Sequence, residues 1–137
     1  PGTTIANVLI VEDDLFLVEL LEKKLKKQNY TTFKAADAKQ ARMILEKNKI
    51  DAILLDVILP GMDGLTFLAE LKAQEQFKSI PAVIISNLGQ QEEKDRGLKA
   101  GAADYIVKAH VTPGEIASRI QEIIKKNNKK VKGLGEV

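Results

Sequence analysis

The chain contains no cysteine, which excludes a disulfide framework, thiolate chemistry and a zinc site built on Cys ligands. It also lacks any long apolar run. The longest uninterrupted ones span only a few residues, and no basic segment followed by an apolar stretch opens the sequence. A signal peptide and a membrane-spanning helix are therefore not expected, and a soluble cytoplasmic protein is the default reading. Internal repeats and low-complexity blocks are absent too. Basic charge is scarce where a nucleic-acid-binding face would need it. Five of the 21 basic residues, Lys125, Lys126, Lys129, Lys130 and Lys132, follow Ile124 together with only one of the 19 acids, Glu136, so the preceding body is slightly acidic. Positive charge gathered in a tail rather than on a folded face argues against direct nucleic-acid binding.

What is present suits one globular domain. At 137 residues, with 45% hydrophobic and 29% charged residues, the chain can bury a core and has no room for a second module. After a short leader, Pro1 to Asn7, the run Val8-Leu9-Ile10-Val11 is too short for a helix and β-branched, and it ends in Glu12-Asp13-Asp14. Leu17, Leu20, Leu21 and Leu25 then recur at spacings of three and four, an amphipathic helix that Asp14 is placed to cap. A second β-prone run, Tyr30 to Phe33, precedes Asp37 and Gln40, a capping-box-like start to a helix carrying Ala41, Ile44 and Leu45. The third strand, Ala52 to Leu55, terminates in Asp56 ahead of a Pro60-Gly61 turn, and a helix carrying Leu65, Leu68 and Leu71 is predicted to begin near Met62 or Asp63. Pro81 to Ser86 is a fourth strand. Gln90 to Ala100 reads as a helix stopped by Gly101, with Gly97 inside it and Leu98 as its only large apolar anchor. It should be the least firmly held. Ala103 to Lys108 is a fifth strand, and Thr112-Pro113-Gly114-Glu115 opens a helix carrying Ile116, Ile120, Ile123 and Ile124. Residues 6–127 make up the domain, and 128–137, aperiodic beyond 129, a flexible basic tail.

Five strands alternating with five helices predict an α/β fold, a doubly wound parallel sheet with its strand C-termini on one edge. Ligands bind at that edge in such sheets. It gathers Glu12 and Asp13 from the first strand, Asp56 from the third, Ser86 from the fourth and Lys108 from the fifth. On its own Asp56 could equally cap the Pro60-Gly61 turn; the company it keeps favours chemistry. Carboxylates with no His or Cys beside them form a hard oxygen site suited to Mg²⁺ or Mn²⁺, and clustered acids repel unless a cation neutralises them. A hydroxyl and an ammonium opposite the acids suit the oxygens of a phosphoryl group. His110, the one histidine, lies in a loop past Lys108 and reads as a surface residue.

The set Glu12-Asp13, Asp56 with Pro60 and Gly64 behind it, Ser86, and Tyr105 three residues before Lys108 resembles the receiver domain of bacterial two-component response regulators, in a single-domain, chemotaxis-regulator-like form. The resemblance implies a flavodoxin-like strand order 2-1-3-4-5 and a phosphoacceptor at Asp56. It further implies Mg²⁺ held directly by Asp13 and Asp56, through water by Glu12, and by the backbone carbonyl of Ile58. Lys108 would contact the phosphoryl group, and Ser86 and Tyr105 would form the conformational switch. Implied partners are a histidine kinase or histidine phosphotransfer protein and an unnamed downstream protein, with the chain a monomer or a phosphorylation-dependent dimer. Two positions depart from the family pattern. Ala109 stands where proline commonly follows the lysine, so either the bond is trans and Lys108 is aimed differently, or a strained cis bond is retained. Asn87 replaces the usual small residue after the switch hydroxyl and could narrow access to the site. The expected function is a signalling switch rather than a metabolic enzyme, with a phosphorylation-independent adaptor and a Mg²⁺-dependent phosphohydrolase as rivals.

Overall fold

A computed structural model describes residues 5–135, with side chains through Asn128. Strand β1 (Ala6–Val11), helix α1 (Leu15–Lys27), β2 (Tyr30–Ala35), α2 (Ala38–Lys47) and β3 (Ala52–Asp56) open the chain. A short hairpin, β4 (Ile58–Leu59) and β5 (Met62–Asp63), precedes α3 (Gly64–Lys72), β6 (Ala82–Ser86), α4 (Gln91–Lys99), β7 (Asp104–Val107) and α5 (Pro113–Gly135). The main sheet has five parallel strands in the order β2-β1-β3-β6-β7. This is the doubly wound arrangement and the 2-1-3-4-5 order that the sequence and its resemblance predict.

Strand alternation divides the core into two halves. Val8, Ile10, Leu54, Val83 and Ile85 point to the face covered by α1 and α5 through Val18, Leu21, Leu25, Ile116 and Ile120. Leu9, Ile53, Leu55 and Ile84 point to the opposite face, under Ala41 and Leu45 of α2 and Phe67, Leu68 and Leu71 of α3. Every residue of β3 and β6 is buried, which is why those strands read as continuous apolar runs rather than alternating ones. The cap signals work as read: Asp14 Oδ1 accepts from the Leu17 amide at 3.2 Å, Asp37 Oδ1 from the Gln40 amide at 2.8 Å, and Thr112 Oγ1 from the Glu115 amide at 3.1 Å.

The structure differs from the sequence reading at several places. Ala6 and Asn7 belong to β1 rather than to a leader, because Asn7 is tied in by its amide, which donates to Asp51 Oδ2 at 2.8 Å. The hairpin β4–β5 was not anticipated, since its strands are two residues each, and it moves the start of α3 to Gly64. Lys108 opens a 3₁₀ turn, Lys108–His110, instead of ending a strand. Helix α5 runs on to Gly135, where a tail was expected from 128, aperiodic from 129. Extending an existing helix needs no new nucleus, and lysine is a good helix former. The last two residues of that tail, 136 and 137, lie outside the described residues. Leu98 is not the anchor of α4: it is 49% exposed, and the one buried residue of that helix is Gly97. The helix sits so close to the sheet that a Cβ at 97 would lie 2.8 Å from Ile84 Cδ1 and 2.9 Å from Tyr105 Cδ2. Contact here comes from the absence of a side chain, which turns Leu98 outward.

Candidate functional site

The acidic triplet after β1 divides into three tasks. Glu12 turns inward and is buried; its Oε2 accepts from the backbone amides of Asp13 at 2.9 Å and Asp14 at 3.3 Å. Asp14 is occupied as the cap of α1, which leaves Asp13 exposed at the sheet edge. Asp56, the last residue of β3, is 6% exposed, and its Oδ1 accepts from the Ile58 amide at 3.1 Å. Gly64 permits the tight return that follows. Its amide donates to the Val57 carbonyl at 2.6 Å, and a Cβ there would overlap the Asp56 carbonyl oxygen.

Carboxylate oxygens of Glu12, Asp13 and Asp56 lie within 4.8 Å of one another. An all-oxygen set this compact fits a hard divalent cation such as Mg²⁺ or Mn²⁺. The Lys108 ammonium faces the same acids, donating to Glu12 Oε1 and, at 3.0 Å, to Asp56 Oδ2. No peptide bond among the described residues is cis, so the bond from Lys108 to Ala109 is trans. Lys108 reaches Asp56 nonetheless, because the 3₁₀ turn that follows β7 brings the side chain back over the sheet edge.

Burial pushes the Glu12 carboxyl up to about 7, reinforced by the neighbouring Asp56 and opposed by the Lys108 ammonium. Burial also works against the charge on Lys108, but hydrogen bonds to Glu12 and Asp56 outweigh it and raise its pKa above the ordinary lysine value. The rise on Glu12 comes mainly from its burial, and a divalent cation bound beside it would favour the ionised carboxylate.

Ser86, at the end of β6, is 1% exposed. Its Oγ accepts from the Leu88 amide at 3.0 Å, while the Leu88 carbonyl accepts from the Tyr105 hydroxyl at 2.7 Å. One peptide segment therefore joins the two residues that the resemblance pairs as a switch. Tyr105 is already buried, at 8% exposure, rather than waiting outside a gap. Asn87 is exposed, as is His110. The site is a shallow edge and not a cleft. A cavity of about 430 Å³ lies at the opposite edge, between Asn48, Ile50, Phe77 and Asn127, and none of these site residues lines it.

Sequence reasoning brought Glu12, Asp13, Asp56 and Lys108 together, and the structure places them so. The bridging role of Leu88 was missed because it acts through its backbone, which no side-chain pattern encodes. Gly97 was read only as a weak point of a helix; a glycine inside a helix that could have had alanine was the available signal.

A five-stranded doubly wound sheet with three acids, a lysine and a hydroxyl on its C-terminal edge is the arrangement of a receiver-type signalling module. The model of the response regulator receiver domain matches residues 8–121, and the chain belongs to that family. Among curated relatives it is 34% identical over 130 residues to the regulatory protein VanR of Enterococcus faecium, covering 95% of this chain and 54% of VanR. It is also 34% identical over 120 residues to the phosphate regulon transcriptional regulatory protein PhoB of Escherichia coli, covering 88% of this chain and 52% of PhoB. The chain thus spans about half the length of the curated relatives it matches. Among solved structures, the receiver domain of the Francisella response regulator 1452 aligns with a TM-score of 0.81 at 30% identity, covering 88% of this chain and 98% of that one. Receiver domains are signalling switches rather than metabolic enzymes. No helix among the described residues is long and apolar enough to cross a membrane.

Proposed function

We propose that this receiver domain accepts a phosphoryl group on Asp56 from a histidine kinase or histidine phosphotransfer protein, with Mg²⁺, in the cytoplasm, and changes its partner-binding surface in response. The observation that carries the reading is the Asp56 carboxylate at the end of β3, with oxygens of Glu12 and Asp13 within 4.8 Å and the Lys108 ammonium at 3.0 Å. An Asp56 oxygen attacks phosphorus, the P–N bond of the phosphohistidine breaks, and its electron pair leaves with the imidazole nitrogen, which takes up a proton. Lys108, already on Asp56, moves to the new phosphoryl oxygens and balances their charge. Asp13, Asp56 and the Ile58 carbonyl would hold Mg²⁺ directly and Glu12 through water. The ion would supply the positive charge that lets an anionic donor approach an acidic edge. The Ser86 hydroxyl, which uses its oxygen to accept from Leu88, keeps its proton free to donate to the phosphoryl group. Its movement would release Leu88, and with it Tyr105 and α4.

Incubation with acetyl phosphate and Mg²⁺ followed by intact mass measurement tests this. A lasting gain of one phosphoryl group supports the switch. Many donor molecules consumed per protein, without retained label, indicate a phosphohydrolase, and no reaction indicates an adaptor independent of phosphorylation.

A further inference from the structure

The hairpin β4–β5 carries Ile58, yet neither of its strands joins the main sheet; β4 pairs only with β5. Contacts other than sheet pairing fix it. Leu59 is buried in the core with Met62 packed against it, the Ile58 amide donates to Asp56, and the Gly64 amide donates to the Val57 carbonyl. A further tether comes from α2. Arg42 donates from Nε to Glu70 Oε2 at 2.6 Å and from Nη2 to Glu70 Oε1 at 2.9 Å, a bidentate fork that joins α2 to α3. The same Nη2 reaches Met62 Sδ at 3.4 Å, and the guanidinium lies 5.6 Å from the centroid of the Phe67 ring. The pair is strong enough to hold the Glu70 carboxyl below its ordinary pKa. A planar fork flanked by a ring and a polarisable sulfur is fixed in orientation in a way that a lone surface ion pair is not.

We propose that Arg42 is a positioning residue for the phosphoacceptor loop. Clamped by Glu70 and Phe67 of α3, it holds Met62, and through the paired strands of the hairpin it holds Ile58, whose amide donates to Asp56. The partners of Arg42 are Glu70, Met62 and Phe67, not the acids at the sheet edge. It sets how often the loop presents its backbone to a cation bound at Asp13 and Asp56. The inference rests on the cation site proposed above, and its test separates the two.

The experiment measures Mg²⁺ affinity by titration calorimetry and amide exchange over residues 57–64, with urea unfolding in parallel, on wild type, Arg42→Ala, Arg42→Lys, Glu70→Gln and Met43→Ala. Met43, half-exposed on the same helix, is the control for generic loosening of α2. Arg42→Ala and Glu70→Gln should weaken Mg²⁺ binding about three- to tenfold and speed exchange over 57–64, as expected when a bidentate charged pair is broken. Arg42→Lys should not restore either property, because an ammonium cannot make the fork. Met43→Ala should change neither. Unaltered Mg²⁺ affinity and unaltered exchange in Arg42→Ala would overturn the proposal, even if stability falls. If wild type itself binds no Mg²⁺, the cation reading fails and the exchange result alone decides whether Arg42 holds the hairpin.

Discussion

Replacing Gly97 with alanine puts two opposed terms on the same atom. An alanine in the interior of α4 gains about 1 kcal/mol of helix propensity over glycine. The new methyl would lie 2.8 Å from Ile84 Cδ1, 2.9 Å from Tyr105 Cδ2 and 3.3 Å from Tyr105 Cε2, closer than carbon atoms approach, so a neighbour or the helix must move. Overpacking of this kind costs about 1–3 kcal/mol. If the Tyr105 ring swings away instead, its 2.7 Å hydrogen bond to the Leu88 carbonyl is lost, at about 0.5–1.5 kcal/mol, along with the burial of the ring. Clash therefore outweighs propensity, and Gly97→Ala should destabilise the domain by about 1 kcal/mol net while expelling Tyr105. The chain has no tryptophan and two tyrosines, so in a Tyr30→Phe background tyrosine fluorescence comes from Tyr105 alone. Urea unfolding gives the stability, and iodide or acrylamide quenching gives the exposure of the ring. A variant that is more stable by the full propensity gain, with Tyr105 as protected as before, would refute the seating of α4 on that ring.

Other outcomes follow from the acids and the hydroxyl. With its carboxyl raised to about 7 from 4.5, Glu12 keeps a proton in the folded state that the unfolded chain releases. Metal-free stability should therefore fall as pH rises between those values, by up to about 3 kcal/mol from this group. Glu12→Gln should flatten that part of the pH profile measured by urea unfolding. Asp13→Asn should weaken Mg²⁺ binding in calorimetry and leave the fold intact or more stable, since it removes one of the mutually repelling acids. Amide exchange in residues 87–104 should be faster than in α1 and change most on phosphorylation, because Gly97 is the only residue α4 buries. Ser86→Ala should suppress most of that change while the protein still takes up the phosphoryl group.

The alternation of short apolar runs with three-and-four spacing was enough to lay out the sheet and its helices, because β3 and β6 are buried along their whole length and end in the polar residues Asp56 and Ser86. Glu12, Asp13, Asp56 and Lys108 were legible for the same reason: parallel winding forces strand ends onto one edge, so residues 96 apart in sequence, Lys108 and Glu12, meet there. What escaped was whatever depends on backbone approach. Leu98 looked like the anchor of α4 because apolar side chains usually are, yet the contact is made at Gly97. The hairpin after Asp56 is too short to show a period of two, and the link from Ser86 to Tyr105 runs through the peptide groups of Leu88. The fork from Arg42 to Glu70 spans 28 residues, and an arginine on one amphipathic helix and a glutamate on another read individually as solvated charges.

If Asp56 is the phosphoacceptor, a transferred phosphoryl group will be found on that side chain. Wild type and Asp56→Asn are each incubated with a phosphorylated histidine donor and Mg²⁺, the acyl phosphate is trapped by borohydride reduction, and peptides are sequenced by mass spectrometry. One modification per wild-type chain, at Asp56, abolished by the Asn substitution and by chelation of the metal, is the predicted result. Label of equal stoichiometry in Asp56→Asn, or label found on Asp13 or Glu12 in the wild type, would show that Asp56 is not the acceptor.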